Sequence, residues 1–193
     1  MAKRVFFSFH YQDVVDFRAN VVRMHSTTKP EREDIGFFDA SLWEETKRSG
    51  KVALKRLINS GLDNTSVTCV LVGSETYARP WVRYELLKSY KKGNKLLACH
   101  INSVKGRDER VKPPGPNPLD FIGVVFSSDG RTATLKEYTN GVWSDYIEID
   151  GSANYDFYVE EQFRGKGFKL SSWYGAYDWI IQDGFNNFSD WIE

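Results

Sequence analysis

The first hundred residues alternate short apolar runs with longer amphipathic stretches, and this alternation limits the possible folds more than any other feature. Runs rich in β-branched, aliphatic and aromatic residues at 5–9, 35–39, 67–72 and 95–101 predict strands. The run at 67–72 is the most hydrophobic of the chain and predicts a central strand. Strands and helices that alternate in this way form a parallel sheet flanked by helices, so we expect an α/β fold of the flavodoxin-like class.

Three stretches between these strands have apolar residues at helical spacing and predict amphipathic helices. The first begins at Asp13, a suitable N-cap, and the second ends near Gly61. The third begins at Pro80, which suits the first turn of a helix, and ends at Gly93. The apolar positions are Val14, Phe17, Val21 and Met24 in the first helix, Ala53, Leu54, Leu57 and Ile58 in the second, and Val82, Leu86 and Tyr90 in the third.

After residue 102 the alternation ends and the sequence predicts a different architecture. Residues 103–118 form a charged and then proline-rich loop, and a further strand is predicted at 121–126. Asn140-Gly141 separates two alternating segments, 132–138 and 142–149, which is a strong signal for a β-hairpin.

The end of the chain predicts a return to helical structure. We expect a helix at 173–181 that is stopped by Gly184, and a short turn or helix at 188–192. The predicted organisation is a single domain spanning 1–193, with a core at 1–118, a β-hairpin-rich insertion at 119–172 and a C-terminal helical segment at 173–193.

Composition argues against several classes of function. Lysine plus arginine and aspartate plus glutamate number 26 each, so the chain lacks the basic excess of nucleic-acid-binding proteins. No apolar run approaches the ~20 residues of a membrane span, and the N-terminal segment lacks the apolar core of a signal peptide. Cys69 and Cys99 lie in predicted strands, which indicates buried free thiols in a reducing compartment. We expect a cytoplasmic protein that binds neither nucleic acid nor membrane, and no metal-ligand spacing is present.

Polar residues gather at the predicted carboxyl ends of the strands, where open parallel sheets bind their ligands. Ser8 and His10 follow the first strand, Asp39 follows the second and Ser74 follows the third. A phosphoacceptor receiver domain would need clustered acids after the first strand and an aspartate after the third, and this sequence has neither.

Glu85 lies in the second turn of the helix that follows Ser74. At 100° per residue it lies about 40° from Trp81 around the helix, so Trp81, Glu85 and Lys88 form a stripe beside the buried face. This spacing permits a carboxylate beside an indole at the mouth of the crevice. It equally permits a surface ion pair between Glu85 and Lys88, with Trp81 packed locally.

Several segments of the chain resemble the TIR-like domains of bacterial antiphage proteins, and together they resemble the TIR-like subunits of the Thoeris defence system. The segment with the most specific resemblance contains Ser74, Trp81 and Glu85. The stretch at 121–172 has the least support from the family pattern. The matching segments are Val5-Phe-Phe-Ser-Phe-His10, Phe37-Phe-Asp39, Val70-Leu-Val-Gly-Ser-Glu-Thr76, Trp81-Val-Arg-Tyr-Glu-Leu86, Tyr177-Asp-Trp179, Gly184-Phe-Asn-Asn187 and Trp191-Ile192.

The resemblance implies an enzyme whose substrate is NAD+ and whose catalytic residue is Glu85. TIR domains with a glutamate on this helix cleave the bond between nicotinamide and ribose. Thoeris members make a cyclic ADP-ribose isomer, a diffusible second messenger that activates a partner effector, which then depletes NAD+. The resemblance also implies an infection trigger of phage origin, and a homo-oligomer as a possible active form.

Elementary chemistry agrees with a single carboxylate at such a site. The nicotinamide nitrogen already carries the positive charge, so the leaving group needs no general acid. The ribose carbon acquires oxocarbenium character, which a fixed carboxylate stabilises. No cofactor is then required, because NAD+ is the substrate.

Seven other residues are candidates for contacts with the substrate. Ser74 contacts the ribose or diphosphate, or it caps the turn before the helix. His10 lines the site or is a structural residue, and Asp39 contacts substrate or fixes the loop that follows it. Strand alternation places Phe6, Ser8 and His10 on one face of the sheet. The full set of substrate-binding candidates is Ser8, His10, Asp39, Trp43, Ser74, Trp81 and Tyr84, of which the aromatic members would form the pocket walls.

Two alternatives to this enzyme remain open from the sequence. One is a TIR-like interaction module that has lost catalysis, and the other is an N-glycosidase on the same fold that acts on nucleosides. A scaffold has no need of a glutamate beside Trp81 and Ser74. A nucleoside-directed enzyme usually offers more acids at the strand ends than Asp39 alone.

Overall fold

A computed structural model describes residues 3–27, 46 and 48–193 of the chain. The predicted strand at 35–39 and the candidate residues Asp39 and Trp43 lie outside the described residues. The described helices are α1 Tyr11–Val15, α2 Arg18–Thr27, α3 Lys51–Leu62, α4 Pro80–Lys92 and α5 Gly184–Ile192. The described strands are β1 Val5–Phe9, β2 Val67–Val72, β3 Lys95–His100, β4 Ile122–Phe126, β5 Thr132–Thr139, β6 Val142–Asp145, β7 Ala153–Asn154, β8 Gly167–Lys169 and β9 Ala176–Asp178.

The first sheet is parallel, with the described strand order β1-β2-β3-β9. Every residue of β2 is buried, which confirms the prediction of a central strand at 67–72. Cys69 on β2 and Cys99 on β3 are buried free thiols, also as predicted. The α/β fold with a parallel sheet flanked by helices is therefore confirmed.

Alternation along β1 directs its side chains to two separate cores. Phe6 packs in one core with Leu54 of α3 and Leu86 of α4. Phe7 points to the other face and packs in a second core with α2 and α5, where its ring stacks on Phe188 at 5.7 Å between centroids. This two-sided burial is why short strands with few polar residues form the sheet.

β9 occupies a segment for which the sequence predicts a helix at 173–181, and that prediction is wrong. Ala176, Tyr177 and Asp178 pair with β3 instead. Tyr177 and Trp179 both pack in the second core, and Tyr177 stacks on Trp191 at 4.4 Å between ring centroids. Aromatic residues two positions apart anchor a strand, and the burial of both rings outweighs local helical preference.

The boundaries of three helices also differ from their predictions. The predicted first helix is two helices, α1 and α2, because Phe17 between them has a left-handed φ of 73°. His10, rather than Asp13, is the N-cap residue of α1. α3 continues through Gly61 to Leu62, and Gly184 begins α5 instead of ending a helix.

α4 has both of its predicted ends. Pro80 is its first residue, where the missing N–H is harmless. Gly93 follows its last residue with φ 90°, and its N–H bonds to the carbonyl oxygens of Ser89 and Tyr90. This left-handed position is why a glycine ends the helix.

The second sheet is antiparallel, with the order β6-β5-β4-β8 and β7 paired to β5. The predicted hairpin is confirmed: Asn140 and Gly141 join β5 to β6 with φ values of 52° and 81°. β6 ends at Asp145, four residues before the predicted end, and Tyr146 then turns into the core.

The second sheet packs against α4 and shares its core. Ile122, Val124 and Leu135 lie in the same buried cluster as Leu86 and Leu87 of α4. α4 is thus covered by the parallel sheet on one side and by the antiparallel sheet on the other. Among the described residues, no helix is long and apolar enough to cross a membrane.

Candidate active site

Glu85 lies on the buried side of α4, with only 4% of its surface exposed. The predicted stripe of Trp81, Glu85 and Lys88 at a crevice mouth is therefore wrong for Glu85, whereas Trp81 and Lys88 are half-buried. The difference arises because the Glu85 position of α4 faces the parallel sheet, where Ser8 of β1 hydrogen-bonds to it.

Ser8 of β1 is the hydrogen-bond partner of Glu85. Its hydroxyl donates a short hydrogen bond to the Glu85 carboxyl, and Ser8 itself is 1% exposed. Glu85 is buried and bonds to Ser8, and among the described residues it forms no surface ion pair with Lys88. Ser8, the polar residue of the otherwise apolar β1, is thus the hydrogen-bond donor to the buried acid.

Burial raises the pKa of Glu85 from its ordinary value of 4.5 to about 8, and the hydrogen bond from Ser8 opposes that shift. The folded protein therefore holds Glu85 largely protonated at neutral pH. A positively charged group that approached the carboxyl would favour its ionised form. The site can respond to a cationic substrate by releasing a proton.

Trp81 and Tyr84 line a cavity of about 230 Å³ next to Glu85 on α4. Their rings meet edge to face at 6.0 Å between centroids. Tyr84 is buried and donates a hydrogen bond to the side-chain oxygen of Asn59 at 3.3 Å. Glu85 does not line this cavity, so the two aromatic candidates and the acid occupy adjoining spaces.

Two sets of ion pairs frame the same cavity and connect it to the second sheet. Arg83 of α4 pairs with Glu137 of β5 at 3.4 Å. Glu148 pairs with Lys55 at 3.0 Å and also with Lys51. Lys55 is not part of the cavity lining, which contains Lys51 and Arg83 against Glu137 and Glu148. The cavity therefore has aromatic walls and no excess of either sign.

Asp13 is a buried acid near the strand ends that the sequence analysis assigned only to helix capping. It is 3% exposed and accepts a hydrogen bond from the hydroxyl of Thr76 at 3.3 Å. Burial raises its pKa to about 6, with Lys112 opposing the shift. Gly73 approaches so closely that a Cβ there would lie 2.3 Å from an Asp13 carboxyl oxygen. The sequence signal for a functional or buried Asp13 was its position one turn after the end of a strand. The structure places it next to the Gly-Ser-Glu-Thr loop at 73–76.

Ser74 and His10 lie at the ends of the strands as predicted, and Ser74 bonds to another loop of the protein. The Ser74 hydroxyl donates to the carbonyl oxygen of Pro113 at 2.9 Å, so the proline-rich loop lies against the loop after β2. The same approach places Gly115 against the backbone of Gly73. His10 is half-exposed directly after β1. Contacts of Ser8, His10, Ser74, Trp81 and Tyr84 with a substrate stay predictions.

No group of three or more histidine, cysteine, aspartate or glutamate side chains that could hold a metal ion occurs within the part of the chain that the structure describes. The described side chains of the site include the Glu85 carboxyl and the Ser8 hydroxyl that bonds to it.

A parallel α/β sheet with a buried acid on the helix after its central strand is the arrangement of TIR-type domains. Residues 6–106 match the family model described as Thoeris protein ThsB, TIR-like domain. The chain belongs to this family, as the resemblance of its motifs indicated.

One curated relative is similar over its whole length. A protein of Bacillus cereus (strain MSX-D12), named "Putative cyclic ADP-D-ribose synthase ThsB1", is 54% identical over 192 residues. The match covers 100% of both chains. The family model ends at residue 106, but this relative also matches the region of the second sheet, which is thus a shared part of the two proteins.

Proposed function

We propose that this chain is an antiphage TIR-like enzyme that cleaves the nicotinamide–ribose bond of NAD+ and cyclises the product to a cyclic ADP-ribose isomer. The observation that carries the proposal is the Glu85 carboxyl, buried on α4 and hydrogen-bonded by Ser8. The full-length similarity to a protein named as a cyclic ADP-D-ribose synthase supports the reaction and its product.

Glu85 acts as the catalytic carboxylate. In NAD+ the C1′–N bond breaks with both electrons moving to the nicotinamide nitrogen, and nicotinamide leaves as a neutral base. The ribose carbon gains oxocarbenium character, which the ionised Glu85 carboxylate stabilises at short range. Ser8 holds that carboxylate in place by donating its hydrogen bond.

The raised pKa of Glu85 fits a cationic substrate. The free site keeps the acid protonated near neutral pH. The positively charged nicotinamide ring favours the ionised form of Glu85. Substrate binding therefore releases the Glu85 proton and creates the catalytic carboxylate in the same step. An empty site with a neutral acid also avoids an uncompensated buried charge.

Cyclisation requires a second nucleophilic group of the same molecule to reach C1′ before water does. This demands a shielded pocket that holds the substrate folded. Trp81 and Tyr84, on the same helix as Glu85, line a cavity with aromatic walls that would become part of this pocket. Because Glu85 is 4% exposed, the substrate gains access only after a rearrangement, which fits a defence enzyme that is silent until infection.

The partners follow from the product. A diffusible cyclic nucleotide acts on a separate effector that depletes NAD+, so the two proteins need no direct contact. The infection trigger is of phage origin, and the active form of the enzyme is a homo-oligomer. The reaction takes place in the cytoplasm, where NAD+ is available. Neither nucleic acid, membrane nor a bound cofactor has a role in this scheme.

Mass spectrometry of lysates from infected cells tests the function. Cells that express the wild type should accumulate a cyclic ADP-ribose species, and cells with Glu85→Gln should not. Glu161→Gln is the matched control, because Glu161 is exposed in the second-sheet region and far from the proposed chemistry in sequence. It should give the wild-type amount of product.

Two results would refute the proposal. One is an unchanged cyclic species with Glu85→Gln at equal protein levels. The other is effective defence with no such species in either strain, which would favour a TIR-like interaction module.

A further inference from the structure

The second sheet has an outer face, turned away from α4, that carries an open groove of about 420 Å³. Residues of β4 and β5 such as Val124 and Leu135 point inward to the core beside α4. The alternate residues point outward, because successive side chains of a strand lie on opposite faces. We call this site the outer groove and define it by Gly123, Lys136, Trp143, Gly167 and Lys169.

Two glycines on neighbouring strands form the floor of the outer groove. Gly123 of β4 and Gly167 of β8 carry no side chain where other outward positions do. A Cβ at Gly123 would lie 3.2 Å from Cζ3 of Trp143 and 2.5 Å from the Phe168 carbonyl oxygen. A Cβ at Gly167 would lie 3.2 Å from Cγ2 of Val125. The Trp143 indole and the β8 backbone therefore lie directly against Gly123, and the open space of the groove lies beyond the indole.

Trp143 forms the aromatic wall of the outer groove. It is 39% exposed, and its ring lies 5.4 Å from that of Tyr138 between centroids. A second cavity of about 320 Å³ adjoins the groove and shares Trp143 and Lys169 with it. An indole that is supported by one ring and open on a cavity is a stacking surface for a planar group.

The charge of the groove favours an anion. Its lining contains Lys136 and Lys169 and no acidic residue. Lys136 pairs with Asp145, which is itself 62% exposed. Lys169 forms no ion pair with any of the residues that the structure describes, although Asp120 lines the adjoining cavity and bonds to Ser171. One ammonium group thus stands free beside the aromatic wall.

We propose that the outer groove binds a nucleotide, with its base stacked on the exposed part of Trp143 and its phosphate at Lys169. The combination of an exposed indole, an unpaired cation and an open groove of about 420 Å³ fits a phosphorylated aromatic compound in both size and charge. A peptide would instead need a longer channel or a series of pockets. This site lies on the other face of the second sheet from α4, so it is separate from Glu85 and does not depend on the proposed reaction.

Calorimetric titration of the full chain with adenosine monophosphate tests the proposal, with adenosine and inorganic phosphate as companion probes. We expect saturable binding of the monophosphate and weaker binding of both companions. Trp143→Ala should weaken it by about tenfold or more, as expected for loss of base stacking. Lys169→Ala should weaken the binding of the monophosphate but leave the affinity for adenosine unchanged.

Matched controls separate this site from the proposed active site and from general damage. Phe185→Ala removes an aromatic side chain of similar exposure, 38%, on α5, and Lys105→Ala removes an exposed lysine elsewhere. Both should retain binding, as should Trp81→Ala on α4. Gly167→Ala adds one methyl group to the floor of the groove and should weaken binding without removing any side chain.

Three outcomes would overturn the proposal. They are no saturation at millimolar monophosphate, equal affinity in the wild type, Trp143→Ala and Lys169→Ala, and loss of binding with Trp81→Ala. None of these bears on the infected-cell test of Glu85, so failure of the groove and failure of the proposed reaction are distinguishable.

Discussion

Replacing Glu85 with glutamine should stabilise the folded protein, and the gain should grow as the pH rises. Burial raises the pKa of this carboxyl from 4.5 to about 8 in the folded state, whereas the unfolded chain keeps the ordinary value. The folded state thus binds the proton more tightly. A raised carboxyl pKa contributes stability that is fully present below pH 4.5 and is lost as the pH rises towards 8.

The magnitude follows from the proton count. Between pH 6 and the folded-state pKa near 8, the unfolded state has lost the proton and the folded state largely retains it. Unfolding then releases close to one proton, so this group lowers the free energy of unfolding by about 1.4 kcal/mol per pH unit. The slope flattens as the folded state begins to ionise, which gives a total of about 2 kcal/mol between pH 6 and pH 8.

Urea unfolding of the wild type and Glu85→Gln at pH 6, 7 and 8 measures this difference. Glutamine has nearly the same shape, and its side-chain oxygen can still accept the hydrogen bond from Ser8. All other titrating groups cancel in the comparison. The free energy of unfolding of Glu85→Gln minus that of the wild type should rise by about 2 kcal/mol over this range.

A flat difference would refute the reasoning. If the two proteins differ by the same amount at pH 6 and pH 8, the folded and unfolded states bind the Glu85 proton equally, and the carboxyl is not buried as described. Glu161→Gln supplies the comparison for an exposed acid and should show no such trend.

Two further substitutions test the surroundings of the site. Ser8→Ala removes the hydrogen bond that lowers the pKa of Glu85, so the pH at which cyclic product formation reaches half its maximum should move upward. Product in lysates of infected cells at pH 7 should fall about tenfold, and an unchanged pH profile would contradict the role of Ser8. Gly73→Ala places a Cβ 2.3 Å from an Asp13 carboxyl oxygen and should cost about 1–3 kcal/mol of stability. Urea unfolding measures this, and a loss below about 0.5 kcal/mol would show that Asp13 moves away freely.

Features determined by local chemistry could be predicted from the sequence. Pro80 and Gly93 mark both ends of α4 because each meets a backbone requirement that few other residues meet. Asn140-Gly141 predicts the hairpin for the same reason, since both residues adopt positive φ. The strands β1, β2 and β3 follow from apolar runs that are buried on both faces.

Features determined by distant packing could not be predicted in this way. β9 forms because it pairs with β3 and because Tyr177 and Trp179 reach a core that includes residues of β1, β2 and β3, more than seventy positions away. The burial of Glu85 depends on how α4 packs against β1, which no periodicity within α4 reveals. The choice of Glu85 as the catalytic candidate came from the family motif, and the hydrogen bond from Ser8 required the structure.

The position of β9 also has a consequence for protein synthesis. β3 gains its second neighbour, and Phe7 gains Phe188, only from residues that are synthesised after position 172. A nascent chain that has emerged only to residue 172 has an unpaired edge on β3 and lacks Phe188 beside Phe7. The parallel sheet, and with it the support behind Ser8, is therefore completed only after β9 and α5 have been made. Chains that lack these two elements should be inactive.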